Sequence, residues 1–488
     1  MKLEVSNNNK NSRQNIEDIY PLSPMQEGML FESLYAPEDG AYFEQITCTF
    51  QGELDVKSFE KAWQQVVNRH AIFRTAFIWE SVNQPVQIVY KKVDIQIEFK
   101  DWRELLPSQQ QQQLEEFLVE EREKGFQLSQ APLIRLYLLQ LNENQHQFIW
   151  CHHHILLDGW SLPIVFKDLF EFYQGIVAGV SLKLRPAVKY RNYIGWLKQQ
   201  KKDLAQEFWQ QQFKGFTAPT PLVVDKLFSD SEPDIGYQET VVFLTDEQTL
   251  AITDFVKKHK LTMNNILQGV WSLLLSRYSQ ENDVVFGTTV SGRPPSLPGV
   301  ESMVGLFINT LPVRVQVNED DDVLSLLQEL QQQQIESEQY AYCSLVEIQG
   351  WSDVPRGTSL FDSLVVFENY PIDATSGEDD GNLTVENFRG IAHTNFPLVI
   401  AAGPGERLWF RVSYDSGRFE TETIQRILGH LQTLLSAIVK TPQTKIKELP
   451  ILTTIETQQL LEQNQTKTEF TVNQCIHQLF ESQVEKTP

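Results

Sequence analysis

Four cysteines in 488 residues (Cys48, Cys151, Cys343 and Cys475) are too few and too widely spaced for a disulfide framework, and no two form a CxxC pair. A reducing cytoplasm is the expected compartment. Basic residues are scarce as well: 41 Lys and Arg stand against 64 Asp and Glu, a formal net charge of -23. No basic stripe is available to displace counterions from phosphates, so nucleic acid is excluded as a general partner. Long apolar runs are also missing. The opening MKLEVSNNNKNSRQN lacks an apolar signal core, and the apolar stretches near 265–276 and 398–403 are too short to cross a bilayer, so neither export nor membrane insertion is expected. The chain contains neither a GxSxG nucleophile elbow nor a glycine-rich phosphate loop.

What is present can build a large core: 41% of the residues are hydrophobic and 22% charged, which excludes a disordered chain. The length suits about three units, or one α/β architecture in two lobes. Residues 1–15 read as a flexible leader. In YPLSPMQEGML, Ser23 and Gln26 form a capping box at a helix opened by Pro24. Asp55 caps a helix carrying Phe59, Trp63, Val66 and Val67 on one face, and Thr245 with Gln248 form a second capping box. The glutamine run after Pro107 reads as the solvated part of a helix. Strand, loop and helix succeed one another at QHQFIWCHHHILLDGWS–PIVFKDLFEFYQGI and again from DVVFGTTVSGR to DDVLSLLQELQQQQ. Two α/β lobes follow from this order, with proline-bearing segments near 181–190 and 217–234 as crossings between them.

The densest chemistry lies at His152, His153 and His154. In a strand, His152 and His154 project to one face with Phe148 and Trp150, while His153 projects to the other with Ile149 and Cys151. One imidazole can then act as a base in a cleft while its neighbour packs behind the sheet. His154, near the end of the run, is the candidate base. Asp158 in the following turn needs an arginine or backbone donors if it is buried, and Gly159 is expected to permit a conformation or close approach that a side chain forbids. Adjacent strand histidines diverge, and no acid, cysteine or histidine elsewhere has zinc spacing, which argues against a metal site. Cys151, pointing away from His154, does not form a Cys–His pair. From the residues alone a packed histidine cluster and an acid–base site both stay open.

The run from His153 to Gly159 reads HHILLDG and resembles the HHxxxDG motif of nonribosomal peptide synthetase condensation domains. Further blocks resemble that family in order: LSPMQEGML at 22–30, RHAIFRTAF at 69–77, YRNYIGWL at 190–197, VGLFINTLPVR at 304–314 and LFDSLVVFENYP at 360–371. Together they span about 20–440. The resemblance implies an α/β fold in which two chloramphenicol-acetyltransferase-like lobes form a V-shaped pseudo-dimer. It implies lobes over 16–185 and 186–445, the second including crossing segments. The remainder, 446–488, resembles a linker and the opening of an adenylation domain.

The resemblance further implies amide formation, in which the amine of an aminoacyl thioester on an acceptor carrier takes the peptidyl or acyl group from a donor carrier. His154 is the implied catalytic residue. His153, Asp158, Gly159 and Trp160 support the motif, and Arg293 in VSGRPP is the implied partner of Asp158. No cofactor bound by the domain is implied; the substrates ride on 4'-phosphopantetheine of an upstream donor and a downstream acceptor peptidyl carrier protein, beside an adjoining adenylation domain. A monomer is expected for the isolated domain, and Met1 as a native start implies a donor carrier on a separate protein. SPMQEGMLF, HHILLDGWS and VVFENYP resemble the subtype that accepts a D-configured donor. Epimerization of a carrier-bound residue and an inactive carrier-binding module are the alternative readings.

Overall fold

The computed structural model describes residues 15–36, 40–222, 236–369, 383–466 and 475–487. Residues 1–14 of the expected leader, 223–234 of an expected crossing, and Tyr370 and Pro371 of a family block lie outside the described residues.

The first half supplies β1 (Ile16–Pro21), β2 (Phe43–Gly52), β3 (Thr75–Ile78), β4 (Val86–Tyr90), β5 (Ile97–Asp101), β6 (Ile134–Asn142) and β7 (Gln145–His153). The second half supplies β8 (Tyr237–Phe243), β9 (Asp283–Val290), β10 (Asn309–Gln316), β11 (Ser363–Phe367), β12 (Leu383–Ile391), β13 (Leu398–Gly403) and β14 (Trp409–Asp415). They form two main sheets, ordered β12-β2-β7-β6-β5 and β10-β9-β11-β13-β14-β8, with a small sheet β1-β4-β3 beside the first. Each main sheet carries its own helices, so the fold is a mixed α/β pair of lobes.

Alternation along β7 divides the first lobe into two apolar layers. Phe148 and Trp150 pack with Phe59 and Trp63 of the helix Val56–Arg69 and with Val165 and Leu169 of the helix Leu162–Val177. Ile149 and Cys151 face the opposite layer with Phe117 and Leu118 of the helix Pro107–Glu123. In that helix Gln109, Gln111, Gln112 and Gln113 are exposed. Gln110 instead donates to the carbonyls of Trp102 (2.9 Å) and Leu141 (3.0 Å).

The local signals act where the sequence places them. Ser23 Oγ accepts from Gln26 N at 3.3 Å while Gln26 Oε1 accepts from Ser23 N at 3.0 Å. Thr245 and Gln248 make the same reciprocal pair, and Asp55 accepts from Lys57 N and Ser58 N. Each cap meets backbone donors that a helix start leaves open.

A boundary between 185 and 186 does not separate the two cores. Tyr190, Tyr193 and Ile194, the loop residues Leu297, Val300, Met303, Leu306 and Phe307, and Val385 of β12 all belong to the first core. β12 adds itself antiparallel to β2, so a strand from the second half completes the first sheet. The segment after β9 can lie this close because it uses glycines where side chains do not fit. A Cβ on Gly305 would lie 2.2 Å from the Tyr190 ring, and Gly292, at φ 58°, would place one 1.8 Å from the Phe307 carbonyl oxygen.

Gly305→Ala is therefore expected to lower the unfolding free energy by about 1–3 kcal/mol, because a well-packed core must move to admit the methyl. Gly28→Ala is the control: it sits in the helix Pro24–Tyr35 with nothing within 4 Å of its would-be Cβ, so it should be neutral or stabilising. Chemical denaturation of both variants measures the contrast, and equal stabilities would reject close packing at Gly305.

Candidate active site

β7 ends at His153, one residue short of the strand that alternation through His154 requires. His154 lies just beyond it, where its N–H donates to Tyr42 O at 2.8 Å and the chain turns into Ile155–Asp158. The three histidines meet three different environments. His152 is buried against Trp150, ring centroids 4.9 Å apart, and burial, aided by the neighbouring histidines, pushes its pKa well below the ordinary value.

His153 is buried too, and burial lowers its pKa to about 3. Its Nδ1 accepts from Ile155 N at 3.1 Å, which leaves the proton on Nε2, 3.3 Å from Ser33 Oγ. Ser33 Oγ donates in turn to Met29 O at 2.8 Å. The ring therefore ties the histidine turn to the helix Pro24–Tyr35. Gln26, the capping residue, adds a second tie by donating from Nε2 to Ile155 O at 3.1 Å.

His154 has the complementary arrangement. Its Nδ1 lies 2.8 Å from Leu157 O, and a carbonyl only accepts, so Nδ1 carries the proton. The neutral ring then has its lone pair on Nε2. That nitrogen is 4.0 Å from Glu44 Oε1, beyond hydrogen-bonding reach, with the two side chains 20% and 15% exposed. Glu44 lies on β2 opposite His152, and burial raises its carboxyl pKa; Glu368 reinforces the rise, while His154 and Arg411 oppose it. Glu368 and Arg411 belong to the second lobe, where Arg411 Nη2 donates to Glu368 Oε1 at 2.6 Å.

Asp158 closes the turn. Its side chain is fully buried, and three N–H groups donate to it: Ser161 N (3.1 Å) and Arg293 Nη2 (3.0 Å) to Oδ1, and Phe307 N (2.9 Å) to Oδ2. Arg293 also donates from Nη1 to Val300 O and Met303 O, and its guanidinium lies 4.1 Å from the centroid of the Phe307 ring. Ser161 Oγ stands 3.0 Å from both Asp158 Oδ1 and Gly305 O. Gly159 and Trp160 form the short 3-10 turn with Ser161. Gly159 does not have a positive φ, so the conformational reason for a glycine there does not hold; the demanding glycines are Gly292 and Gly305 across the interface.

The motif thus brings His153, His154, Asp158 and Arg293 together. The sequence reading missed Glu44, Tyr42, Ser33 and Ser161. Glu44 had one available signal: it shares strand parity with the core-facing Ile46, Cys48 and Phe50, an unusual position for a carboxylate. Among the described residues no group of three acid, cysteine or histidine side chains is placed to hold a metal ion. None of the helices there is long and apolar enough to cross a membrane.

The condensation-domain family model matches residues 16–461, and the chain belongs to that family. It is 44% identical over 476 residues to a linear gramicidin synthase polypeptide of Brevibacillus parabrevis, covering 97% of this chain and 6% of that protein. It is 37% identical to bacitracin synthase 3 of Bacillus licheniformis, over 97% of this chain and 8% of that protein. The chain therefore spans less than a tenth of the length of either relative. Among solved structures, a four-domain nonribosomal peptide synthetase in its holo form, bound to AMP and glycine, superposes with a TM-score of 0.77 at 19% identity, over 91% of this chain and 34% of that one. The two-lobed pseudo-dimer is the fold that this chain shares with that structure.

Removing either partner of the buried pair, in Asp158→Ala or Arg293→Ala, should cost about 3–5 kcal/mol. A double-mutant cycle read by denaturation should be non-additive, and additivity would exclude direct coupling. The histidine turn should also be sensitive to acid. His153 is neutral in the fold with a pKa of about 3 against 6.5 unfolded, so the unfolded chain binds more protons between those values and stability falls as pH drops through that window. At pH 5 the loss from this one group should be about 2 kcal/mol relative to pH 7. His153→Gln should flatten the acid limb of stability against pH, and an unchanged slope would show that the histidine is not held neutral.

Proposed function

We propose that this domain forms an amide bond by moving a peptidyl or acyl group from a donor carrier's phosphopantetheine thioester to the amine of an acceptor aminoacyl thioester. The observation that carries the reading is His154, whose Nδ1–H is engaged by Leu157 O so that the Nε2 lone pair is directed toward the partly exposed space beside Glu44. The relatives' names, synthases of linear gramicidin and bacitracin, agree with peptide assembly.

In the reaction the amine nitrogen attacks the thioester carbonyl carbon and a C–N bond forms. One N–H proton passes to His154 Nε2, the tetrahedral intermediate collapses with cleavage of the C–S bond, and the departing sulfur takes that proton. Amine and thioester become amide and thiol with no other reactant. A thioester is already activated, so holding two tethered reactants in line supplies much of the rate, with His154 orienting the amine and taking its proton. Asp158, Arg293 and His153 act through the turn that carries His154, and Gly159 and Trp160 form part of it. The donor carrier, the acceptor carrier and an adjoining adenylation domain are the proposed partners, and the subtype resemblance supports a D-configured donor.

Single-turnover amide formation, with matched D- and L-terminal donors on one carrier and the same aminoacyl acceptor on the other, tests both parts by mass spectrometry. His154→Ala should slow transfer by at least about a hundredfold. Near-wild-type transfer by that variant sinks the assignment. The D donor should react faster, and equal or reversed rates reject D selectivity. Loss of an α-deuterium without amide formation would instead identify epimerization.

A further inference from the structure

Amide formation through His154 leaves Glu44 unexplained. Its side chain is mostly buried, its carboxylate oxygens reach the partly exposed space beside His154, and among the described residues no N–H or O–H group donates to them within hydrogen-bonding distance. Burying a carboxylate without donors is costly. Opposite it stands a second acceptor, the Nε2 lone pair of His154, 4.0 Å away. Two acceptors facing each other across that gap call for a donor with at least two N–H or O–H bonds.

The surrounding charge selects the donor's sign. Across the lobe boundary Arg411 already donates to Glu368 and lies 4.0 Å from Glu239. Of these second-lobe groups, Glu368 and Arg411 act on Glu44, so two carboxylates face the one positive charge of Arg411 there. A cationic or incipiently cationic group is favoured there, and an anion is not.

Resting on the amide-forming reading of the site, we propose that Glu44 is the second anchor of the acceptor substrate's α-amine, which is held between Glu44 Oε1 and His154 Nε2. A nitrogen about 2.8 Å from both acceptors would subtend an angle of about 90° between them, within reach of a tetrahedral centre. With its two N–H bonds so engaged, a neutral amine has its lone pair directed away from both anchors, free for the donor carbonyl. As the C–N bond forms the nitrogen becomes positive. Glu44 stabilises that charge while one of the two N–H protons passes to His154 Nε2, and the other N–H remains in the amide. When the substrate arrives as an ammonium, its third proton is released to solvent before attack.

The test separates the amine's charge from the rest of the substrate. Glycyl-aminopantetheine and acetyl-aminopantetheine, in which a hydrolysis-resistant amide NH replaces the thioester sulfur, differ only in the α-amine, and with no donor thioester present neither reacts. Titration calorimetry on the intact domain should show the glycyl compound binding about tenfold more tightly to wild type. In Glu44→Gln that preference should collapse to within about twofold while the affinity for the acetyl compound stays unchanged and the melting temperature does not fall. Glu44→Asp, which retracts the carboxylate by one methylene, provides a second variant with an intermediate preference expected, should the glutamine variant not fold. An undiminished preference in these variants overturns the proposal. So does the absence of any preference in wild type, including failure of the glycyl compound to bind up to its solubility limit. Wild-type single-turnover transfer is measured alongside: its absence counts against the amide-forming reading, whereas the binding ratio reports on Glu44 alone.

Discussion

A carboxylate with no exposed atom, Asp158, draws its donors from both halves of the chain: Ser161 from its own turn, and Arg293 and Phe307 from the segment that leaves the second sheet. Removing such a charge from water costs several kcal/mol, and only a complete set of donors offsets it. The turn that carries His154 can therefore hold its shape only when the second half is docked. The same contact places the loop residues Leu297, Val300, Met303, Leu306 and Phe307 in the first core, so the burial of apolar surface and the satisfaction of Asp158 are met by one movement of the chain. The site belongs to neither lobe alone.

The consecutive histidines show how one sequence run yields three chemistries. His152 and His153 lie in buried surroundings that disfavour a positive charge; His153 and His154 add to this at His152, and His154 at His153. His153 uses both ring nitrogens, accepting from a backbone N–H and facing a serine hydroxyl, so it has no lone pair left for substrate. His154 spends only its Nδ1–H on the protein. The end of β7 makes this division: one residue beyond the strand, the third ring escapes the packed layers that confine the first two. Burial and hydrogen bonding, not the residue type, separate the two packed imidazoles from the one proposed to react.

Much of this was legible because it is local. Capping boxes at Ser23 and Thr245, the alternation of Phe148, Ile149, Trp150 and Cys151, and the solvated glutamines of the helix Pro107–Glu123 are all set by neighbours within a turn or a pleat. The HHILLDG run, read with its companion blocks, was enough to suggest the family. What could not be read depends on pairings distant in sequence. β12 is separated from β2 by more than 300 residues, and nothing in its alternation names its partner strand. Glycine is demanded at Gly292 and Gly305 by what approaches them, the Phe307 carbonyl and the Tyr190 ring, and neither approach can be read from the local sequence. Glu44 and His154 become neighbours only when β2 pairs with β7, a pairing that nothing local in either segment names.

Tyr42 shows how far the placement of His154 depends on that long-range order. It is a bulky, buried residue at φ 64°, a left-handed conformation that costs about 1–3 kcal/mol and persists only where surrounding contacts determine it. Three contacts do so: its carbonyl accepts the His154 N–H, its own N–H donates to His393 O, and its hydroxyl donates to Asn395 Oδ1. His393 and Asn395 lie between β12, which completes the first sheet, and β13, which is central to the second. The backbone of His154 is thus suspended from a strained residue that the connection between the sheets holds in place. A shift of one lobe against the other acts on this hydrogen bond and on the gap between His154 and Glu44 together, since Glu44 lies two residues beyond Tyr42. If the proposed transfer is limited by how its two reactants are aligned, contacts from both lobes give His154 a position that neither sheet could set alone.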